Sequence, residues 1–398
     1  MDSPFQAIKI TDTVYWVGAI DWSLRDFHGY ATDNGTTYNA FLILSDKITL
    51  IDTVKAQYMD EMFSRISSVI SPCEIDYIVS NHAEMDHSGS LPKAIEVIKP
   101  EKVFASTRGK EALSLHFHDI AQFITPVKEG DSLSLGNMNL KFIETPMLHW
   151  PDSMFSYLIE EQILFSQDAF GMHLASSRLY NDEIDEYVLY SEAAKYFANI
   201  LMPYSKLIQN LLVKFKTLNL PIKLIAPDHG PLWRSNWHKI LDLYNDWSSH
   251  LKNKKAIIVY DTMWNSTEKM AKSIGDGLIS SGIDTKVLSL KSNHRSNIAT
   301  ELLNSSALIT GSPTINDNIF PTVLDALSYL KGLKKQNLTG AVFGSFGWNG
   351  KAIDLLTDYM KQMNIELPIE PIKFKYVPTA QDLLKCREFG IKIASFLN

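Results

Sequence analysis

Cysteine is nearly missing from this chain. Two residues in 398, Cys73 and Cys386, stand far apart and form no C-x-x-C pair. A disulfide framework, a thiolate zinc site and an iron–sulfur cluster are thereby excluded. Positive charge is not in excess either: 38 Lys and Arg face 45 Asp and Glu, a net charge of −7. Without a basic stripe or cluster, a nucleic-acid partner is not expected. No apolar run approaches the roughly 18 residues needed to span a bilayer. Met1 to Ile10 has no basic region followed by an apolar core, so no secretory signal is expected. Internal repeats and low-complexity stretches are absent. What these absences leave is a soluble protein of the cytoplasm, with no membrane partner.

What is present suits a globular enzyme. Hydrophobic residues make up 45% and charged residues 21% of the chain, an ordinary balance. The length calls for two domains. Strand-like runs recur through the first 230 residues: Thr13–Val17, Asn39–Leu44, Lys47–Ile51, Ile75–Val79, Lys102–Ala105, Leu140–Ile143, Phe155–Ile159, Gln162–Phe165 and Leu224–Ala226. Some alternate and others are continuously apolar, as in sheets covered by helices. Helical patterns intervene at Gln57–Ile70 and along Glu192–Asn219. The expectation is two packed sheets with helices outside. Ser248 to Lys255 is polar and basic and reads as a linker. Beyond it, Ala256–Tyr260, Thr285–Leu290, Ala307–Thr310 and Ala341–Ser345 alternate with helices, the first over Ser266 to Ser280. That alternation predicts a doubly wound parallel sheet. The domains are therefore drawn at 1–250 and 254–398.

The densest chemistry lies in Asn81-His-Ala-Glu-Met-Asp-His-Ser-Gly89, straight after the run Ile75–Val79. Two imidazoles and two carboxylates in six residues beside a core strand are costly to desolvate unless something compensates them. A pair of metal ions would do so; a chance polar loop is the bland alternative. Further ligands are needed to close a two-metal site. His149 ends Glu144-Thr-Pro-Met-Leu-His, Asp168 follows Ile163-Leu-Phe-Ser-Gln, and His229 sits in Ile225-Ala-Pro-Asp-His-Gly. Each follows or ends a strand-like run, where an α/β architecture gathers its active residues. Four imidazoles and three carboxylates without a thiolate suit iron or manganese and tolerate zinc. His116 and His118, on a helix-like segment, read as surface or packing residues. His173 and His238 have no carboxylate partners in register.

The pattern His-x-Glu-x-Asp-His resembles the metal motif of the metallo-β-lactamase superfamily, with Glu84 where its hydrolytic members usually carry His. That Glu is the hallmark of the flavodiiron proteins, and the later ligands match the family's order and spacing. The resemblance implies that His82, Glu84 and His149 hold one iron, that Asp86, His87 and His229 hold the other, and that Asp168 bridges them. It also implies a metallo-β-lactamase-like αββα sandwich. Asp52, in Thr49-Leu-Ile-Asp-Thr, resembles the acid that supports the ligands in that superfamily, or caps a turn. His28, in Arg25-Asp-Phe-His-Gly, and Tyr204 are carried as residues of the gas pocket. Anionic Glu84 in place of a neutral His favours a metal that reaches the +3 state, hence redox chemistry. A metal-dependent hydrolase with a flavodoxin-like appendage is the rival reading.

A second signature follows the linker. Ala256 to Glu268 runs strand, hydroxyl-rich loop, helix, and Thr262, Met263, Trp264, Asn265, Ser266 and Thr267 can surround a phosphate at a helix N-terminus. The loop has no glycine, so it is neither a P-loop nor G-x-G-x-x-G. It resembles the flavodoxin phosphate loop, with Asn265 where flavodoxins usually have Gly. Asn is the residue after Gly that best tolerates a left-handed backbone. Two further loops follow apolar strands: Ser312, Pro313, Thr314, Ile315 and Asn316, then Ser345, Phe346, Gly347, Trp348, Asn349 and Gly350. In a flavodoxin-like domain these loops hold the FMN ring, on which Trp348 can stack. FAD and NAD are not expected.

The flavodiiron resemblance runs from about Ile8 to Leu397. It implies an oxidoreductase that reduces O2 to water, NO to N2O, or both. FMN and two iron ions together store the four electrons the first reaction needs. No cysteine-rich extension is present, so a fused rubredoxin is not expected, and electrons would come from a separate rubredoxin or a reduced deazaflavin. The resemblance further implies a head-to-tail homodimer, or a dimer of dimers, in which each FMN faces the partner's irons.

Overall fold

In a computed structural model, residues 3–397 are described. Two units emerge from the way segments pack. One takes the chain up to Phe27 with Thr32–Tyr196 and Lys206–Asn245; the other takes His28–Ala31, Phe197–Ser205 and the chain from Asp246 onward.

The first unit is built on two sheets. One has seven strands in the order Ile8–Lys9, Val14–Trp16, Phe41–Ile43, Thr49–Ile51, Tyr77–Ser80, Lys102–Ser106, Ile124–Val127. The other has five, Ser132–Ser134, Asn139–Glu144, Met154–Leu158, Ile163–Gln167 and Leu224–Pro227. Alternation along the strands divides the core in two. Phe41, Ile43, Ile51 and Val79 point at the second sheet and pack with Phe142, Leu158, Ile163 and Phe165, the rings of Phe41 and Phe165 lying 5.1 Å apart. Leu42, Leu50 and Ile78 point the other way, onto Met62, Ile66, Leu91 and Ile95 of the covering helices Met59–Ser67 and Leu91–Ile98. The period of two thus makes the αββα sandwich that the sequence led us to expect.

The helical stretch read over Glu192–Asn219 is in fact broken. An α-helix Glu186–Tyr196 runs into a π-turn Phe197–Leu201 and a 3-10 turn Met202–Tyr204 before a new helix Ser205–Leu218. Pro203 at the junction cannot donate to a helix ladder. The freed segment joins the second unit: Asn199 donates to the Ser296 carbonyl (3.1 Å) and accepts from the Tyr329 hydroxyl (2.7 Å). Ala31 donates to Ser296 Oγ there as well, at 3.2 Å.

The second unit holds a parallel sheet ordered Asp284–Ser289, Lys255–Tyr260, Ala307–Ile315, Thr339–Phe346, Ile372–Lys375. Taken in chain order, this is the 2-1-3-4-5 arrangement of doubly wound flavodoxin-like sheets. Its last strand, with an alternating half-buried pattern, was not foreseen. On one face the helices Ser266–Ser280 and Ala380–Ala394 approach closely at glycines. A Cβ on Gly277 would lie 2.1 Å from the Arg387 carbonyl oxygen, and one on Gly390 would lie 2.2 Å from that of Ile274.

Candidate metal centre and flavin cavity

All seven predicted metal ligands converge in the first unit. His82 and Glu84 lie in the loop after Tyr77–Ser80, and Asp86 and His87 lie on the one-turn helix Met85–Ser88 that Glu84 begins. His149 stands between Asn139–Glu144 and Met154–Leu158, while Asp168 and His229 directly follow the ends of Ile163–Gln167 and Leu224–Pro227. The loops are tied to each other by hydrogen bonds to backbone carbonyls. Gln167 Nε2 donates to the Leu148 carbonyl at 2.5 Å, Met154 to Asn81 at 3.1 Å, and Asp228 to Gln167 at 2.9 Å.

The donors fall into two groups, each within 4.8 Å: His82, Glu84, His149 and Asp168, then Asp86, His87 and His229. Asp168 belongs to both by geometry. Its Oδ2 lies 3.2 Å from His82 Nε2 and 3.1 Å from His149 Nε2. Its Oδ1 lies 3.2 Å from His87 Nε2 and 3.5 Å from His229 Nε2. Glu84 Oε2 completes the first group, 3.4 Å from His82 and 3.1 Å from His149. Asp86 completes the second, 3.5 Å from His87 and 3.2 Å from His229.

Charge in this cluster calls for cations. Burial alone would raise the Asp168 carboxyl, but the imidazoles of His87, His149 and His82 outweigh it and hold it well below the usual carboxylate range. Glu84 and Asp86 are lowered against burial in the same way. Burial disfavours imidazolium at His87 and His149, yet the neighbouring carboxylates carry them up to about 10 and about 9. Both oxygens of Asp86 and of Asp168, with Nε2 of His82 and His87, have no hydrogen-bond partner among the described residues. Buried, convergent and short of partners, these atoms fit a pair of metal ions.

Around the predicted ligands stand further residues, some of which the sequence reading passed over. Asp152 Oδ2 accepts from His82 Nδ1 at 3.0 Å and from the Ala83 amide at 2.6 Å. It follows the ligand His149 by three residues, a signal that could have been used. His229 Nδ1 faces the Thr37 carbonyl at 2.6 Å. His173, set aside for want of carboxylates in register, is buried with its ring 4.6 Å from that of His229, and it shares Thr36 Oγ1 with His229. Burial and the nearby His229 keep His173 neutral. Tyr196 packs against both rings, and burial with the charges of Asp168 and Glu84 keeps its hydroxyl protonated. Asp52 supports the loop by accepting from the Asn81 amide (2.6 Å) and Nδ2 (2.7 Å), and burial raises it to about 6. His28 and Tyr204 fall in the second unit, outside both donor groups. His116 stacks on Trp150, a packing role as read.

In the second unit the three predicted loops line a cavity of about 500 Å³, within the usual range for a cofactor site. Met263, Trp264 and Ser266 contribute from the first loop, Pro313 to Asn316 from the second, and Ser345 to Asn349 from the third. Asn265 takes the left-handed backbone, φ 65°, and precedes a fifteen-residue helix whose first turn receives no side-chain cap from it. Thr262 Oγ1 is buried with no hydrogen-bond partner among the described residues, and Thr267 is hydrogen-bonded to Ser345 Oγ at 3.0 Å. Hydroxyls and free amides at a helix N-terminus fit a phosphate. Thr262, Asn265, Thr267, Ser312 and Gly350 do not line the cavity itself. Ser312 instead spends its hydroxyl on the Pro313 carbonyl and the Phe320 amide. Asp317, Tyr376 and Val377 line it unforeseen, the last two because they follow the strand that was missed.

Known proteins match both halves of the chain. An ODP-family β-lactamase model matches residues 36–230 and a flavodoxin model residues 258–390. The nitric oxide reductase of Moorella thermoacetica is 44% identical over 393 residues, 98% of each chain. The solved rubredoxin oxygen:oxidoreductase of Desulfovibrio gigas superposes with a TM-score of 0.96 at 41% identity over 98% of each chain. The flavodiiron protein of Giardia intestinalis superposes at 0.94, 34% identical, over 98% of this chain and 96% of its own. A cluster of four imidazoles and three carboxylates able to hold metal, a cavity lined by the predicted flavin loops and this likeness over nearly the full length place the chain in one family: it belongs to the flavodiiron proteins, oxidoreductases with FMN and a non-haem di-iron centre.

Proposed function

We propose that this chain reduces O2 to water, NO to N2O, or both, with electrons from an external donor such as a rubredoxin. The observation that carries the reading is Asp168, whose two carboxylate oxygens face two separate donor groups. Residues 1–250 supply the metal domain and residues 254–398 the flavin domain. His82, Glu84 and His149 would hold one iron and Asp86, His87 and His229 the other, with Asp168 offering an oxygen to each, an arrangement suited to two-metal chemistry. When bound, the irons and FMN supply the electrons for gas reduction. Burial excludes bulk water from the ligands, so charge is neutralised inside the site rather than by solvent. Tyr196 and His173, both uncharged, wall the second donor group.

Support for a homodimer comes from the flavin cavity. Trp264, Trp348, Tyr376, Val377 and Met263 leave its rim apolar and exposed, a surface that asks for a protein cover. A second copy placed head to tail supplies it. Among the described residues no helix is long and apolar enough to cross a membrane, which agrees with a cytoplasmic setting.

Anaerobically purified protein with two irons and one FMN per chain, consuming O2 or NO when given reduced rubredoxin, is the expected result. Zinc alone after growth in iron-replete medium, with thioester or β-lactam cleavage, would replace this reading with the hydrolase.

A further inference from the structure

The two donor groups are chemically equal at the metal itself. Each offers two imidazole Nε2 atoms, one carboxylate of its own and one oxygen of Asp168. They differ one layer out. His82 directs Nδ1 at the Asp152 carboxylate, 3.0 Å away. His229 directs Nδ1 at a neutral backbone carbonyl, that of Thr37, at 2.6 Å. His87 Nδ1 lies 3.4 Å from Asp228, and neither oxygen of Asp228 makes a hydrogen bond among the described residues.

Asp152 is also held firmly. Its carboxylate takes the Ala83 amide at 2.6 Å, and its carbonyl takes the Ser106 hydroxyl at 2.7 Å. Ser106 in turn accepts from the Gly109 amide and caps the helix Thr107–His116. The carboxylate is 2% exposed in a cluster already crowded with negative charge, an arrangement too costly to be incidental.

A charge-assisted hydrogen bond to the outer nitrogen makes an imidazole a stronger electron donor to its metal. We propose that Asp152 is a positioning residue that makes the two irons unequal, so that the ion held by His82, Glu84 and His149 loses its electron first and regains it last. One electron taken from the diferrous centre by a chemical oxidant such as ferricyanide then leaves the Fe(III) on the His82 side. The inference rests on the di-iron reading and adds an order of oxidation that the equal ligand sets alone do not give.

The test is a redox titration of anaerobic holoprotein followed by electron paramagnetic resonance, comparing wild type with Asp152→Asn. Iron and FMN content and the melting temperature of the metal-free protein are measured alongside. Wild type is expected to show a well-populated mixed-valent signal. In D152N that signal shrinks, the first oxidation moves to higher potential, and affinity for one of the two irons falls about 10–100-fold, as outer partners of metal ligands commonly contribute. Two irons with an unchanged titration would overturn the proposal. So would equal loss of both irons, or a lower melting temperature with the signal unmoved. If D152N does not fold, Ser106→Ala, which loosens the anchor and leaves the carboxylate, must give a smaller shift in the same direction; no shift overturns the proposal. A wild-type protein without two irons and without the signal would instead sink the di-iron reading itself.

Discussion

At the scale of single residues, the anchor motif was legible because charge that dense beside a strand has few uses. His149, Asp168 and His229 could be named from their places after or at the ends of strand-like runs. What stayed hidden were partners joined only by folding. His173 meets Thr36 across 137 residues, and no sequence spacing encodes that pair. Tyr196 was unread because it sat inside an expected long helix. Asp168→Asn would test the bridge, since an amide cannot give two anionic oxygens to two metals. Iron content should fall below two per chain, and gas reduction should drop by more than the ~10–100-fold that losing an outer partner costs. Retention of both irons and of activity would refute the bridging role.

Protons compete with metals at these residues. His87 and His149 are raised from an ordinary 6.5 to about 10 and about 9 in the folded chain. Each therefore stabilises the metal-free fold fully below about pH 6.5 and loses that contribution as pH rises through about 9 to 10. Chelated protein should melt at progressively lower temperature between about pH 7 and 10, while the metal-loaded protein, whose imidazoles are already deprotonated, should not. Metal uptake near neutral pH should release protons, and less at pH 10, which calorimetry in buffers of different ionisation enthalpy would read. A flat melting profile for the chelated protein would contradict the protonation of these rings.

Among elements, periodicity found most strands of both units to within a residue or two, because alternation reports which face is buried. It failed where pattern is weak: the short strands Ile8–Lys9, Ile124–Val127 and Ser132–Ser134, the half-buried last strand Ile372–Lys375 and the helix interrupted after Tyr196. The phosphate loop survives its missing glycine because Asn265 accepts φ 65°. Asn265→Gly should leave FMN affinity near wild type. Asn265→Val should strain the turn by about 1–3 kcal/mol and weaken FMN binding, measurable by flavin fluorescence; equal binding by both variants would contradict the role of the turn. The crossing of the helices Ser266–Ser280 and Ala380–Ala394 is tight enough that Gly277→Leu should cost about 1–3 kcal/mol or more of stability through overpacking. A denaturant midpoint unchanged by that substitution would show the helices able to part.

Over the whole molecule, two cofactor signatures in one order identified the architecture, whereas neither signature alone would have excluded a hydrolase or a simple flavoprotein. Assembly is the part a single chain leaves to its surface. If a second copy covers the flavin rim, turnover per chain should fall as the protein is diluted through its dimer dissociation range, in step with sedimentation. Constant turnover from demonstrated monomers would remove the dimer from the mechanism.

The rim has an optical use as well. Of eight tryptophans, Trp264 and Trp348 are the most exposed, at 88% and 81%, and both border the flavin cavity. Their emission should be open to collisional quenchers in the empty single chain and drained by energy transfer to a bound isoalloxazine. Shielding by a second copy should close it to quenchers again. Intrinsic fluorescence would then follow loading and association in one cuvette, without a label.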